Sequence, residues 1–207
     1  MLDFAPAATQ PAVLPEAVTT PHPTRAEAEA AVRTLIRWAG DDPAREGLLA
    51  TPARVVRAYE EWFAGYRQDP ASLLSRTFGE VGGYDELVVL RDIPLQSTCE
   101  HHLAAIRGVV HIAYLPNQRV VGISKLARLV EAFGRRLQIQ ERLTAEIADT
   151  LAKVLQPCGV AVIVEASHEC LSSRGVRLHG ISMQTRRLLG EFAHEPRRGE
   201  ILAMLAG

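Results

Sequence analysis

Two short polar motifs lie far apart in the chain, and the fold must bring them together if they act as one site. The first motif is Cys99-Glu100-His101-His102 and the second is His168-Glu169-Cys170. One turn or bent strand end can aim Cys99 and His102 at a single point, whereas Cys170 must arrive from another element. Two thiolates and one imidazole would hold a tetrahedral zinc ion with one position open, as in catalytic zinc sites.

The same residues also allow a structural interpretation. Cys99 and Cys170 could be buried thiols or a disulfide, and the two adjacent histidines could be solvated. No second close-spaced ligand pair of the zinc-finger type accompanies them. Spacing alone therefore leaves both interpretations open.

Composition limits the class of protein. The 207 residues, 47% of them hydrophobic, suffice for one compact domain or for one domain with a helical appendage. A formal net charge of −1 and only 5% aromatic residues argue against nucleic-acid binding. No apolar run approaches the roughly 20 residues that span a bilayer, so no membrane association is expected. Three cysteines and no signal-like opening segment favour the cytoplasm.

Hydrophobic periodicity predicts three regions. Residues 1–23 are expected to be a flexible Pro/Ala-rich tail, because they show no sustained apolar period. Residues 24–80 are expected to form a helical region, with a capping box at Thr24 and Glu27 and a second helix starting at Thr51-Pro52. Residues 81–207 are expected to form the catalytic domain.

The pattern in the third region alternates between strands and helices. Strands are predicted at 87–90, 108–115 and 159–166 and within 176–189, with a short one at 120–123. Helices are predicted from Ser124, as the cap, and over 140–155. Antiparallel hairpins joined by a helix pair imply an α+β sheet with helices on one face. The edges of such a small sheet need covering, and other copies of the chain are one solution.

Polar residues at the starts of the two helices are candidates for ligand binding. Ser124, Lys125 and Arg128 could bind phosphate at a helix N-terminus, although a solvated cationic face is the alternative. Further cations that could join them are Arg54, Arg57 and Arg174. Gln140-Glu141 could cap its helix or read the N–H donors of a guanine-like base edge.

Five ordered segments resemble GTP cyclohydrolase I, from about Thr24 to the C-terminal region. They are Thr51-Pro52-Ala53-Arg54, Ser97-Thr98-Cys99-Glu100-His101-His102, Gly122-Ile123-Ser124-Lys125-Leu126-Ala127-Arg128, the run 136–144, and the run 165–170 with Arg174-Gly175-Val176. The resemblance implies the tunnelling fold, a four-stranded antiparallel sheet with a helix pair between its hairpins, preceded by N-terminal helices. It also implies a homodecamer with active sites at subunit interfaces.

The resemblance further implies a zinc-dependent conversion of GTP to 7,8-dihydroneopterin triphosphate and formate, the first step of folate or pterin biosynthesis. The implied zinc ligands are Cys99, His102 and Cys170. The implied proton-transfer residues are His101, for ring opening, and His168 and Ser124, for the later rearrangement. The implied substrate contacts are Gln140 and Glu141 to the base, and Lys125, Arg128, Arg174, Arg54 and Arg57 to the triphosphate.

Two other functions compete with this one. A zinc hydrolase could stop at an opened formamidopyrimidine, although the intact His168 and Ser124 weigh against that. A catalytically silent regulator could bind purine or pterin, although loss of a metal ligand would be expected there and none is lost.

Overall fold

The structure is a computed structural model that describes residues 22–79 and 84–205. Of the predicted tail, residues 1–21 lie outside the described residues. The chain divides into two compact units, Met1–Val56 and Arg57–Gly207. The domain limits predicted from the sequence, 24–80 and 81–207, stay a prediction.

The first unit contains a helix whose start the sequence predicted. Helix α1 spans Arg25–Trp38, and the Thr24 hydroxyl accepts a hydrogen bond from the Glu27 N–H. The Glu27 carboxylate accepts one from the Thr24 N–H in return, which confirms the capping box. Gly40 follows with a φ of 96°, a conformation that glycine adopts without steric cost.

The second helix, α2 (Thr51–Trp62), contains the division between the units. The other helices among the described residues are α3 (Pro70–Leu73), α4 (Ile123–Gly134), α5 (Gln140–Leu155), α6 (Glu169–Ser172) and α7 (Arg197–Leu205). The strands are β1 (Thr77–Phe78), β2 (Val88–Cys99), β3 (Ala105–Leu115), β4 (Val120–Val121), β5 (Leu137–Gln138), β6 (Gly159–His168) and β7 (Met183–Gly190).

The main sheet has the order β5-β2-β3-β6-β7. Its four long strands are antiparallel, and α4 and α5 lie in sequence between the two hairpins. This arrangement confirms the predicted α+β class. The fifth strand, β5, was not predicted, and it pairs in parallel with the last two residues of β2.

Strand β2 is longer than its apolar pattern indicated. Pairing with β3 shifts register between Leu90 and Ile93, where Asp92 has a φ of 55°. This irregularity interrupts the apolar pattern, but the strand resumes and reaches Cys99. The strand therefore delivers Cys99 directly, rather than through a long loop.

Helices α4 and α5 bury their apolar faces in one core. The fully buried members include Leu126 and Leu129 of α4 and Leu143, Ile147 and Leu151 of α5. The prediction that Ser124 caps α4 was wrong, because the helix begins at Ile123 and Gly122 occupies the N-cap position without a side-chain hydrogen bond. None of the helices in ranges 22–79 and 84–205 combines the length and apolar character that a bilayer crossing demands.

Candidate active site

Three strand ends meet at one end of the main sheet. Thr98 near the end of β2 pairs with Ala105 at the start of β3, and Ile106 pairs with His168 at the end of β6. Antiparallel pairing therefore places the two polar motifs side by side. Helix α6 follows immediately after His168 and carries Cys170.

A tight turn connects β2 to β3. The Leu103 N–H donates to Cys99 O at 2.9 Å, and the Cys99 N–H donates to Ala104 O at 2.8 Å. Leu103 itself lies in the left-handed region, with a φ of 53°. The turn returns the chain on itself within five residues, so Cys99 and His102 lie at the same point.

Cys99, His102 and Cys170 form a group that could hold a metal ion, with their ligand atoms all within 4.8 Å of one another. Cys99 Sγ lies 3.9 Å from His102 Nδ1. The corresponding ligand separation in a tetrahedral Zn–S/Zn–N site is about 3.6 Å, so the donors fit zinc in type and spacing. The cysteines are free thiols rather than the alternative disulfide.

The electrostatics of this group favour a bound cation. Burial raises the pKa of Cys170, and the neighbouring Cys99 thiol raises it further, while Arg174 partly offsets both. Two thiolates close together are therefore unfavourable without a positive ion between them, and a divalent cation removes that penalty. Cys99 is buried and His102 is exposed, so one side of the group faces solvent.

His101 lies beside the metal-ligand group. Its Nδ1 is 3.9 Å from Cys99 Sγ, and its ring centroid is 6.3 Å from that of His102. The side chain is 63% exposed and its Nε2 lies 3.9 Å from a Glu100 carboxylate oxygen. An exposed imidazole beside the metal-ligand group can exchange protons with a molecule bound there.

His168 lies two residues before Cys170, and Glu141 lies in the first turn of α5. His168 Nε2 lies 2.9 Å from Gln140 Oε1. Burial lowers the pKa of His168, although the negative charge of Glu141 partly offsets this, so the neutral imidazole is favoured. Glu141 is exposed in the first turn of α5 and is available to a ligand, whereas Gln140 is buried.

The predicted phosphate residues are divided between elements. Ser124 and Arg128 are exposed and Lys125 is half-buried, all near the start of α4. Across the described residues, no hydrogen bond or ion pair links these three to the metal-ligand group. The remaining cations are Arg57 and Arg54, which are exposed on α2, and Arg174, whose positive charge lowers the pKa of the Cys170 thiol.

Sequence reasoning missed a contact that connects the Cys99 turn to α5. Arg142 donates to the Glu100 carboxylate and also to Leu137 O at 2.9 Å and Gln138 Oε1 at 3.1 Å. The Glu100 N–H donates to Gln138 O at 3.1 Å. The sequence does show an arginine directly after Glu141, but nothing in it identifies Glu100, Leu137 and Gln138 as the partners of that arginine.

Comparisons with known proteins show the family of the chain. The family model of GTP cyclohydrolase I matches residues 28–206. A protein named GTP cyclohydrolase 1 from Maricaulis maris (strain MCS10) is 58% identical over 173 residues, 84% of each chain. Proteins of the same name from Allorhizobium ampelinum (strain S4) and Brucella anthropi are each 56% identical, over 84% and 82% of this chain and 86% and 80% of theirs.

Among solved structures, the archaeosine synthase QueF-Like in its apo form has a TM-score of 0.43 at 19% identity. The match covers 50% of this chain and 93% of that one, and the likeness is too weak to bear on function. The family match and the curated relatives, by contrast, cover most of the chain. The chain belongs to the GTP cyclohydrolase I family, whose tunnelling fold is the α+β arrangement described above.

Proposed function

We propose that this protein converts GTP to 7,8-dihydroneopterin triphosphate and formate with zinc as its metal. The observation that carries the proposal is the convergence of Cys99, His102 and Cys170 within 4.8 Å, with two further histidines beside them, in a chain of this family. When bound, zinc supplies Lewis acidity for the hydrolytic steps.

The residues around the metal would divide the proton transfers. His101, which is exposed beside Cys99, would protonate the imidazole-ring nitrogen of guanine as the ring opens. His168, whose neutral form is favoured, would accept a proton during the later rearrangement. Ser124 would assist that phase.

Substrate binding would use the exposed carboxylate of Glu141 and the cationic side chains. Glu141 would accept two N–H donors from the pyrimidine edge of guanine. The triphosphate would be held by Lys125, Arg128, Arg174, Arg54 and Arg57. Because the triphosphate is remote from the bond changes, these contacts contribute positioning rather than chemistry.

The functional unit is proposed to be a homodecamer with each site shared between chains. Strand β7 lies at one edge of the main sheet, and β5 covers only the last two residues of β2 at the other edge. Unpaired strand edges of this kind can pair with other copies of the chain. A neighbouring chain would then supply Ser124, Lys125 and Arg128, which make no hydrogen bond or ion pair to the metal-ligand group of their own chain among the described residues.

The decisive experiment follows formate release and pterin absorbance together after adding GTP to zinc-loaded protein. Cys170→Ala should lose both zinc and turnover, whereas Cys158→Ala should keep both, because the Cys158 thiol lies 3.9 Å from Pro116 O outside the metal-ligand group. His101→Ala should keep zinc and lose ring opening. Zinc retention with full turnover in Cys170→Ala would overturn the assigned ligands.

The same assay separates the alternative functions. Formate or an opened ring without pterin would indicate the truncated zinc hydrolase. Tight nucleotide binding without either product would indicate the silent regulator. We also propose a cytoplasmic location, which the three free thiols support because they suit a reducing compartment.

Shared sites can be tested by subunit complementation. Cys170→Ala and Arg128→Ala chains, each first shown to lack turnover alone, are mixed, dissociated and reassembled. If each site takes its metal ligands from one chain and Arg128 from a neighbour, about one quarter of the sites recover both intact parts. No recovered turnover in mixed assemblies of decameric mass would contradict the shared site.

A further inference from the structure

The buried amide of Gln140 has its orientation fixed by its surroundings. Its side-chain nitrogen lies 2.8 Å from Met183 O and 3.1 Å from Val164 O. Both partners are backbone carbonyl oxygens, which only accept hydrogen bonds. The atom facing them must therefore be the NH₂ group, whose two hydrogens are shared between these carbonyls and the Thr185 hydroxyl oxygen.

A pair of threonines supports the same amide. The Thr144 hydroxyl donates to Gln140 O at 2.7 Å, so its oxygen is left to accept from the Thr185 hydroxyl at 2.6 Å. The Thr185 oxygen lies 3.1 Å from the Gln140 NH₂ group. Gln140 is 1% exposed and Thr144 is 2% exposed, so these two side chains are shielded from water.

This orientation determines which nitrogen of His168 carries a proton. With the NH₂ group facing the carbonyls, Oε1 faces His168 Nε2 at 2.9 Å. An amide oxygen only accepts, so Nε2 must be the donor. In the neutral ring the other nitrogen, Nδ1, is then bare and able to take a proton.

We infer that Gln140 is a positioning residue that fixes the tautomer and ring orientation of His168, and that it does not touch the base. This inference rests on the proposed function for its catalytic meaning. It also changes the role predicted for Gln140, since both ends of its amide are already occupied inside the protein. Glu141 then reads the base edge without it.

The first test needs no turnover. Zinc-loaded protein carrying ¹⁵N-histidine is studied by NMR, and the His168 signals are assigned by their loss in His168→Ala. The expected result is a proton on Nε2 and a bare Nδ1 in the unaltered protein. A proton on Nδ1 instead would overturn the inference, whether or not the protein processes GTP.

Gln140→Met keeps the length of the side chain and removes its hydrogen bonds. The expected result is a mixture of His168 tautomers and a kcat lower by about 10- to 100-fold, with KM for GTP and zinc content unchanged. Gln138→Met is the matched control for losing a buried amide, because Gln138 is also 1% exposed but its amide bonds Phe133 O, Glu146 and Arg142 rather than His168. It should leave the His168 signals unchanged.

A double-mutant cycle separates positioning from base recognition. If Gln140 acts through His168, Gln140→Met costs nothing further in a His168→Ala background. A raised KM that persists in that background would overturn the inference in favour of direct base contact. If the unaltered protein produces neither formate nor pterin, the proposed function fails, while the NMR result still decides the positioning role.

Discussion

Removing the Arg142 guanidinium should loosen the Cys99 turn and weaken metal binding. Arg142 extends from α5 to Glu100, which lies inside the turn, and it also bonds Leu137 O and Gln138 Oε1 in the connection before α5. The Arg142→Met substitution retains an unbranched side chain and removes all of these hydrogen bonds. The turn would then lose its side-chain hydrogen bond to α5.

The magnitude follows from the exposure of the partners. Arg142 and Glu100 are 42% and 31% exposed, so solvent screening limits their ion pair to about 0.2–1 kcal/mol. Each of the other two hydrogen bonds contributes about 0.5–1.5 kcal/mol. The apparent free energy of unfolding should therefore fall by about 1–4 kcal/mol, and the middle of that range is about 2.5 kcal/mol. If most of this free energy orders the turn, zinc affinity falls about 10- to 100-fold.

The assay is zinc competition against a chromophoric chelator, with urea unfolding at one fixed protein concentration. Arg187→Met is the matched control, because Arg187 also pairs with a residue of α5, Asp149, at 3.1 Å and with exposures of 47% and 52%. The control should lose a little stability and keep its zinc affinity. Equal zinc affinity in both variants would refute the role given to Arg142.

Two further predictions concern the sheet. Gly108→Ala should lower the free energy of unfolding by about 3 kcal/mol or more, because the added Cβ would lie 2.0 Å from Glu165 O. Gly79→Ala is the control and should be tolerated, because no atom of the described residues lies within 4 Å of its added Cβ; equal urea midpoints for the two variants would contradict this. Burial raises the pKa of Tyr114, and the hydrogen bond that its oxygen accepts from the Val121 N–H partly offsets this rise. Because the pKa is higher in the folded than in the unfolded protein, the free energy of unfolding should fall as pH rises through the folded-state pKa. This loss of stability at alkaline pH should disappear in Tyr114→Phe. If the free energy of unfolding of Tyr114→Phe falls with pH as steeply as that of the unaltered protein, the prediction is wrong.

Local signals in the sequence were sufficient to predict most of the secondary structure. The capping box at Thr24 and the apolar periods of α4 and α5 describe interactions between residues close in sequence. The start of β7 was imprecise and β5 was missed, because strand limits depend on pairing with distant backbone. The cap assigned to Ser124 failed for a similar reason, since local residue preference does not decide where a packed helix begins.

The grouping of Cys99, His102 and Cys170 was predictable from residue type together with the family resemblance, because few residue types bind zinc, although spacing alone had left a disulfide open. The role of Gln140 was not predictable in the same way. Its partners include backbone oxygens of Val164 and Met183, and every residue of any type offers such an oxygen. Only the pairing of β6 with β7 beside α5 reveals that these oxygens face one amide.

The proposed site therefore contains two kinds of residue with different physical requirements. The proposed metal ligands and His168 need fixed geometry, and here strand ends and a buried amide hold them within one chain. Phosphate-binding cations need only the right charge at about the right distance, since their attraction falls slowly with separation. Such residues can lie on exposed helix starts and be supplied by a neighbouring chain, as proposed for Lys125 and Arg128. Assembly would then place the cationic side chains of one chain beside the metal-ligand group that a neighbouring chain has already formed.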